Sequence, residues 1–204
     1  MENKPIKGEY LEVLLRFPQT IFSSKDVALM WREENENIIK NRLNKYVKSG
    51  KLFKIRRGLF AKNKNYNRYE LATRINTPSY ISFETVLGSS GITFQYYGNI
   101  FVASYIKRKM EVDGQRIEFV RMKDYVLSNT LGIENSDGYA RATKERAYLD
   151  RIYVSKKYYF DNLSSLDWEK VFEILPIYHN KRMERTVKKY YDKFKKSEEE
   201  NKNI

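Results

Sequence analysis

Residues 38–62, with the sequence IIKNRLNKYVKSGKLFKIRRGLFAK, restrict the fold of this chain more than any other stretch. Apolar side chains recur at helical spacing in its first half, at Ile39, Leu43, Tyr46 and Val47. Gly50 is the expected C-terminal stop of this helix. Two β-rich runs, 52–55 and 59–61, then flank a tight turn in which Gly58 can adopt the positive φ that hairpins often need. The stretch therefore predicts a helix over 37–49 that is followed at once by a hairpin.

The residues before this stretch predict two further helices. Residues 9–17, EYLEVLLRF, are mostly apolar and suit a short, well-buried helix that ends at Pro18. Ser23 or Ser24 can cap a second helix, whose inward face is formed by Val27, Met30 and Trp31. Three helices and a hairpin, with a short polar connection between the second and third helices, are typical of a winged helix-turn-helix.

Negative charge is missing from the third helix and the hairpin. No Asp or Glu occurs between Asn37 and Tyr69, although the chain has 26 of these residues among 204. The formal net charge of +13 favours a polyanionic partner, either nucleic acid or an anionic membrane surface. In a helix-turn-helix the third helix enters the major groove of DNA, where each Lys or Arg on a phosphate adds affinity and a carboxylate is repelled. The segregation of charge therefore favours double-stranded DNA as the partner.

The residues predicted to contact DNA lie on the outer face and flanks of the third helix and on the hairpin. They are Lys40, Asn41, Arg42, Asn44, Lys45, Lys48, Lys54, Arg56, Arg57 and Gly58. The Asn side chains can form bidentate hydrogen bonds to adenine, and Arg42 or Lys45 can reach guanine. Two alternatives stay open: a solvated basic face, and a winged helix that binds protein. RNA is less favoured, because the stretch lacks an aromatic stacking platform.

Composition excludes several kinds of site. The chain has no Cys, which excludes a disulfide framework, a thiolate metal site and a Cys nucleophile. The one histidine, His179, cannot form a His-cluster zinc site alone. No metal and no cofactor are expected. No segment approaches the length of a membrane span, and the N-terminus has no apolar signal-peptide core, so a cytoplasmic protein is expected.

A second region follows a linker at 63–67 and mixes helices with strands. Predicted helices cover 68–75, part of 79–92, 142–154, 165–175 and 179–196. Predicted strands cover 99–106, 107–122 with a hairpin turn at Val112–Gln115, and 124–133. The expected fold is α+β, with a winged helix-turn-helix domain over 1–66, a mixed α/β domain with C-terminal helices over 67–197, and a disordered tail over 198–204.

Two of these helices are highly charged. The helix over 142–154 carries Lys144, Glu145, Arg146, Asp150 and Arg151, and its pattern favours a solvated outer face in which Arg146 pairs with Asp150. The helix over 179–196 carries eight Lys or Arg residues against Glu184 and Asp192. It is interpreted as a second DNA-facing surface or as a docking surface for an acidic protein; a membrane-surface helix is less favoured.

Enzymatic interpretations find little support in the sequence. The segment LGSSGI (87–92) has the Gly-Ser start of a nucleotidyltransferase motif, but the metal-binding carboxylates that should follow about a dozen residues later are missing. Glu111, Asp113 and Glu118 could suggest a metal nuclease, yet no Glu-x-Lys pair accompanies them. Solvated hairpin charges are the commoner explanation. The chain also has no Walker-type phosphate loop and no G-x-S-x-G motif.

Three stretches resemble the AbiEi family of antitoxins from type IV toxin–antitoxin systems. They are KLFKIRRGLFAK (51–62), SYISFETVLGSSGI (79–92) and ARATKERAYLDRIY (140–153), which resemble the family's wing, the opening helix of its second domain and its A-T-x-E-R-A-L-L-D helix. Tyr148 stands at the first Leu of the last motif. The resemblance implies that Thr143, Glu145, Arg146 and Asp150 belong to the antitoxin-domain motif, with a role that is structural or functional.

The resemblance also implies two activities. The winged helix would bind an inverted-repeat operator and repress transcription of its own operon, and the second domain would counteract a nucleotidyltransferase toxin without a stable complex being required. We therefore expect a non-enzymatic, DNA-binding antitoxin that is a monomer or a weak dimer. One alternative is a winged-helix regulator with a ligand- or partner-sensing second domain and no toxin. A less favoured alternative is a nucleic-acid-modifying enzyme that uses the carboxylates at 111–124.

Overall fold

The computed structural model of the protein describes residue 5 and residues 8–95, 97–155 and 157–202. It confirms the mixed α+β class, with helices and two separate β-sheets. The chain divides into two compact units. The first unit contains the residues up to Leu71 together with Val112–Gly114, and the second contains Ala72–Glu111 and the residues from Gln115 onward. The division falls inside a helix (Arg68–Ile75), a few residues after the domain boundary that the sequence predicted at 66.

The first unit combines three helices with a small sheet. In chain order its elements are α1 (Glu9–Arg16), β1 (Ile21–Ser23), α2 (Ser24–Trp31), α3 (Glu36–Lys48), β2 (Phe53–Arg56) and β3 (Leu59–Ala61). The sheet is antiparallel, with the strand order β1-β3-β2. The sequence did not predict β1, because three residues are too few for a periodic pattern and the strand exists only through its pairing with β3.

Local hydrogen bonds fix where the helices of the first unit begin. The Ser23 hydroxyl accepts a hydrogen bond from the backbone N–H of Asp26 at 3.1 Å, and the Asp26 carboxylate accepts one from the Ser23 N–H at 2.7 Å. This reciprocal pair is a capping box. Asn35 caps α3 by accepting hydrogen bonds from the N–H groups of Asn37 and Ile38. The predicted helix starts are therefore correct to within a residue or two.

The core of the first unit lies between the helices and the sheet. It is formed by Leu14, Phe22, Val27, Trp31, Ile39, Leu43, Leu52 and Phe60. Each such side chain contributes about 1.5–3 kcal/mol by leaving water. The indole N–H of Trp31 donates to the carbonyl of Tyr10 at 2.9 Å, which joins α2 to α1. The inward positions Ile39 and Leu43 of α3 are buried, as their spacing predicted.

The second unit is built around a six-stranded sheet with the order β6-β7-β5-β4-β9-β8. The strands are β4 (Ser79–Ile81), β5 (Ile100–Ser104), β6 (Arg108–Val112), β7 (Gln115–Arg121), β8 (Ile133–Ser136) and β9 (Tyr139–Ala142). Helix α4 (Arg68–Ile75) contains the division between the units, and the other helices are α5 (Glu84–Ser89), α6 (Asp124–Leu127), α7 (Lys144–Val154), α8 (Trp168–Ile174) and α9 (Lys181–Lys202). A 3-10 turn, Leu175–Tyr178, joins α8 to the last connection.

Several elements differ from the sequence prediction. Residues 124–133 were predicted as a strand but contain α6, because their short apolar run (Val126, Leu127) is buried as a single helical turn. The segment 79–92 begins as strand β4 before α5 starts. Strand β9 and all of β8 beyond Ile133 were not predicted. Helix α9 continues to Lys202, where a disordered tail was expected from 198, since Glu and Lys favour helix; residues 203 and 204 lie outside the described part of the chain.

Helix α7 is the most buried helix of the second unit. Seven of its 11 residues are buried, and they include Glu145, Arg146 and Asp150. The expected solvated outer face is therefore wrong, although the predicted pairing of Arg146 with Asp150 is present. Among the described residues, no helix combines the length and the apolar character that crossing a bilayer requires.

Candidate nucleic-acid interface

An open concavity of about 830 Å³ lies on the first unit, between α2, α3 and the β2–β3 hairpin. Its lining includes Lys40 and Asn44 from α3 and Lys54, Arg57 and Gly58 from the hairpin. Lys40 and Asn44 are one helical turn apart, so they share one face of α3. Five of the ten predicted contact residues are therefore brought to one surface by two different elements. We call this concavity the basic cleft.

The hairpin is held against the start of α2. Gly58 adopts a φ of 77°, which an L-residue with a side chain rarely adopts, and its carbonyl accepts a hydrogen bond from the Ser24 N–H at 3.1 Å. A register shift between Lys54 and Arg56 bends β2 next to the turn. This geometry fixes Arg57 at the rim of the basic cleft.

The other predicted residues have different positions. Asn41, Lys45, Lys48 and Arg56 are exposed but do not line the basic cleft. Arg42 differs from the expectation, because its guanidinium lies 3.5 Å from the centroid of the Tyr10 ring and 5.6 Å from that of Trp31. Tyr10 and Trp31 pack edge to face, which presents a ring face to the cation. Arg42 therefore packs inside the first unit instead of projecting with its neighbours.

Some residues of the basic cleft were not predicted from the sequence. Lys25 of α2 and Arg32, which follows α2, line it and add positive charge, while Glu33, Glu34 and Glu36 line the side near the α2–α3 connection. The run without Asp or Glu begins directly after Glu36, and this abrupt change of charge in the sequence could have predicted an acidic side of the cleft. The cleft therefore has a positive side, formed by α3 and the hairpin, and an acidic side at the connection.

The four residues of the antitoxin-domain motif lie in the second unit, at the start and centre of α7. The Thr143 hydroxyl accepts a hydrogen bond from the Arg146 N–H at 3.2 Å, which confirms the predicted helix cap. Glu145 is buried and accepts a hydrogen bond from the Asp167 N–H at 3.1 Å. Arg146 and Asp150 are fully buried and share a hydrogen bond of 3.2 Å. The motif is thus internal in this unit.

Every hydrogen-bonding group around this ion pair has a partner. The Arg146 guanidinium also donates to the carbonyls of Val126, Asn129 and Leu131 and to the Tyr80 hydroxyl. Asp150 accepts from the hydroxyls of Tyr80, Ser82 and Tyr178. Burial and the charge of Asp150 raise the pKa values of Tyr80 and Tyr178, so both hydroxyls stay protonated and can donate. The network joins β4, α6, α7 and the 3-10 turn.

The carboxylates considered for a metal nuclease have separate partners. Glu111 lies 3.5 Å from Arg116, and Glu118 lies 3.0 Å from Lys109. The hydroxyl of Tyr66 donates to Asp113 at 2.7 Å, and this bond, followed by the charge of Arg68, lowers the pKa of Asp113. Within the described residues, no group of three or more His, Cys, Asp or Glu side chains is arranged to hold a metal ion.

Models of known protein families give no match to this sequence, and a search of curated proteins gives none either. The resemblance to the AbiEi family therefore stays a prediction.

Proposed function

We propose that the first unit is a winged helix-turn-helix that binds double-stranded DNA, and that the protein is a transcriptional regulator. The order of elements and the three-stranded antiparallel sheet support the winged-helix assignment. In this assignment α2 and α3 are the helix-turn-helix, α3 is the recognition helix, and the β2–β3 hairpin is the wing.

One observation carries the proposal: the recognition helix and the wing contribute cations to the same surface. Lys40 from α3 and Lys54 and Arg57 from the hairpin line the basic cleft around the amide of Asn44. Phosphates along one DNA strand can contact these cations. The side-chain amide of Asn44 can donate a hydrogen bond to N7 of adenine and accept one from its N6 amino group. Lys45, Lys48 and Arg56 are exposed beside the cleft and extend the positive surface.

The acidic side of the cleft would restrict how DNA is oriented on the first unit. Carboxylates of Glu33, Glu34 and Glu36 repel phosphates and would face away from the backbone, or accept a hydrogen bond from a cytosine amino group. Because no Asp or Glu occurs from Asn37 to Tyr69, the DNA backbone would run along α3 and the hairpin. The operator expected from the resemblance is an inverted repeat that two copies of the protein occupy.

Fluorescence anisotropy with labelled DNA tests the proposal. The probe is a duplex from the region upstream of the gene that encodes the protein, and a random duplex of equal length is the comparison. We expect the double variant Lys40→Ala, Lys54→Ala to lower affinity and to reduce the slope of log K against log salt by about 2, since each lost phosphate contact removes about 0.9.

A matched control keeps the change of charge but moves it away from the first unit. The variant Lys107→Ala, Lys157→Ala also removes two exposed lysines, both in the second unit. It should leave both the affinity and the salt slope unchanged. Equal affinity of wild type and Lys40→Ala, Lys54→Ala for both duplexes would contradict the proposal, as would a failure to bind either duplex at low salt.

We further propose, on the family resemblance, that the protein represses its own operon and counteracts a nucleotidyltransferase toxin. Co-expression with a nucleotidyltransferase encoded beside its gene tests this role. Restored growth is the expected result. If growth stays inhibited despite normal levels of the protein, the antitoxin role is contradicted, and the proposed role as a transcriptional regulator is unaffected.

A further inference from the structure

A second cleft lies in the second unit, where four elements end or begin. It has a volume of about 750 Å³ and is lined by Arg121, Met122, Lys123, Asp124, Tyr153, Val154 and Asn180. Arg121 ends β7, Asp124 begins α6, Tyr153 and Val154 end α7, and Asn180 precedes α9. The cleft has the size of a small-molecule site, which commonly has about 300–1,000 Å³.

Two cations on the wall of this cleft have no carboxylate partner. Arg121 and Lys123 are exposed, and neither forms an ion pair within the described part of the chain. By contrast, Lys109 on the neighbouring hairpin pairs with Glu118 at 3.0 Å. The one acid of the cleft is Asp124, so its lining side chains carry a net positive charge.

Neutral donors stand beside these cations. The Asn180 carbonyl oxygen accepts hydrogen bonds from the N–H groups of Arg182 and Met183, at 3.1 and 3.2 Å, which leaves its amide N–H₂ for a ligand. Burial and a hydrogen bond with the Tyr125 hydroxyl raise the pKa of Tyr153 to about 12, so the Tyr153 hydroxyl stays protonated near pH 7. The Tyr125 hydroxyl donates to the Tyr178 carbonyl, so the Tyr153 proton lies in the long 3.4 Å bond to Tyr125 and would turn from it toward a ligand. Helix α9 begins next to Asn180, and its N-terminal dipole adds positive potential.

Arg182 reduces the negative potential at the end of α7, where Tyr153 and Val154 line the cleft. Its guanidinium donates to the carbonyls of Ile152 and Tyr153, at 3.2 and 3.3 Å, and so offsets the negative end of α7.

We infer that this cleft binds the phosphate group of a small molecule. Arg121 and Lys123 would pair with the phosphate oxygens, Tyr153 and Asn180 would donate hydrogen bonds, and Asp124 would restrict binding by repulsion. The inference does not depend on DNA binding, because all of its residues belong to the second unit.

Titration of the full-length, isotope-labelled protein with inorganic phosphate and with pyrophosphate tests the site. The readout is the change in backbone amide NMR shifts at constant ionic strength, with chloride as the comparison anion. We expect saturable shifts that concentrate at Arg121, Lys123, Tyr153 and Asn180. The variant Arg121→Ala, Lys123→Ala should weaken binding at least tenfold, and Tyr153→Phe should weaken it a few-fold.

Two further variants separate a built site from general attraction to positive charge. Asp124→Asn removes the repelling carboxylate and should tighten binding several-fold; unchanged affinity would show that the phosphate does not bind next to Asp124. Lys107→Ala, Arg108→Ala removes the same kinds of exposed cation from the neighbouring strand region and should bind phosphate like the wild type. Shifts spread over all surface cations, or equal affinity of both double variants, would overturn the inference.

Discussion

Arg146 and Asp150 face each other one turn apart on α7, with Nε of the guanidinium 3.2 Å from the Oδ1 carboxylate oxygen and neither side chain exposed. The pair lies at the centre of the second unit, where hydroxyls from β4 and from the 3-10 turn complete its hydrogen bonds. Burial acts to lower the pKa of Arg146, but the charge of Asp150 together with the interactions of Tyr178 and Tyr80 outweighs it, and the pKa is raised. The guanidinium therefore stays charged and needs its partner.

Removal of one partner of this pair should be strongly destabilising. We expect Asp150→Ala to lower the free energy of unfolding by about 3–5 kcal/mol, because the guanidinium is left buried without a counter-charge. Urea unfolding followed by circular dichroism measures the change. The combined variant Arg146→Met, Asp150→Leu should lose less than the sum of the two single variants.

Arg116→Ala is the control for this experiment. It breaks the exposed pair with Glu111, in which the Arg116 side chain is 74% exposed, and should cost less than about 1 kcal/mol. Equal losses for Asp150→Ala and Arg116→Ala would mean that the buried network does not stabilise the second unit.

Gly132 should tolerate no larger residue. It has a φ of 73°, and a Cβ at this position would lie 2.8 Å from Cδ1 of Ile174 and 3.0 Å from Cβ of Arg146. Gly132→Ala should therefore lower the free energy of unfolding by about 2–5 kcal/mol, from backbone strain and overpacking together. Gly114, with a φ of 75° and nothing within 4 Å of its Cβ position, isolates the strain alone. If Gly114→Ala costs as much, the close contact at Gly132 is unimportant.

Arg42 and Lys40 should have opposite effects on stability and on DNA binding. Arg42→Gln removes the cation above the Tyr10 ring and should cost about 0.5–2 kcal/mol of stability, while the salt slope of DNA binding stays unchanged. Lys40→Gln should leave stability within about 0.5 kcal/mol and reduce the slope by about 1. Parallel unfolding and anisotropy measurements test both variants. A lower slope for Arg42→Gln would place this residue on DNA after all.

Tyr66 should contribute to the loss of stability at high pH. Burial and the hydrogen bond to Asp113 raise its pKa from the usual 10 to about 12. Because ionisation is harder in the folded state than in the unfolded state, stability is complete below pH 10 and falls as the pH rises toward 12. Urea unfolding at pH 8, 10 and 11 should show a smaller decline for Tyr66→Phe than for the wild type. An identical decline would show that Tyr66 titrates normally.

The sequence predicted those features that arise from neighbouring residues. The spacing of Ile39 and Leu43 places the inward face of α3, Thr143 caps α7, and Gly58 takes the positive φ of the hairpin turn. Each depends on residues within a few positions of one another, so periodicity and capping rules were sufficient.

Features that depend on distant residues were missed or misread. The charges of α7 looked solvated because Tyr80 of β4 and Ser82 just after it, which hydrogen-bond to Asp150, lie 70 and 68 positions earlier in the chain. The orientation of Arg42 depends on Tyr10 of α1 in the same way. Strands β8 and β9 could have been predicted from the residues that join them. Asp-Gly is a common hairpin turn, and Asp137 and Gly138 both adopt a positive φ there.

The position of Glu70 has a consequence for experiments on fragments. Its carboxylate accepts hydrogen bonds from the N–H groups of Thr20 and Ile21, at 2.9 and 3.0 Å, and from the Thr20 hydroxyl at 2.6 Å. A fragment that stops at residue 66 would expose the beginning of β1 as an unsatisfied sheet edge. An expression fragment of the first unit should therefore extend beyond Leu71, so that the first turn of α4 travels with the strand that it anchors.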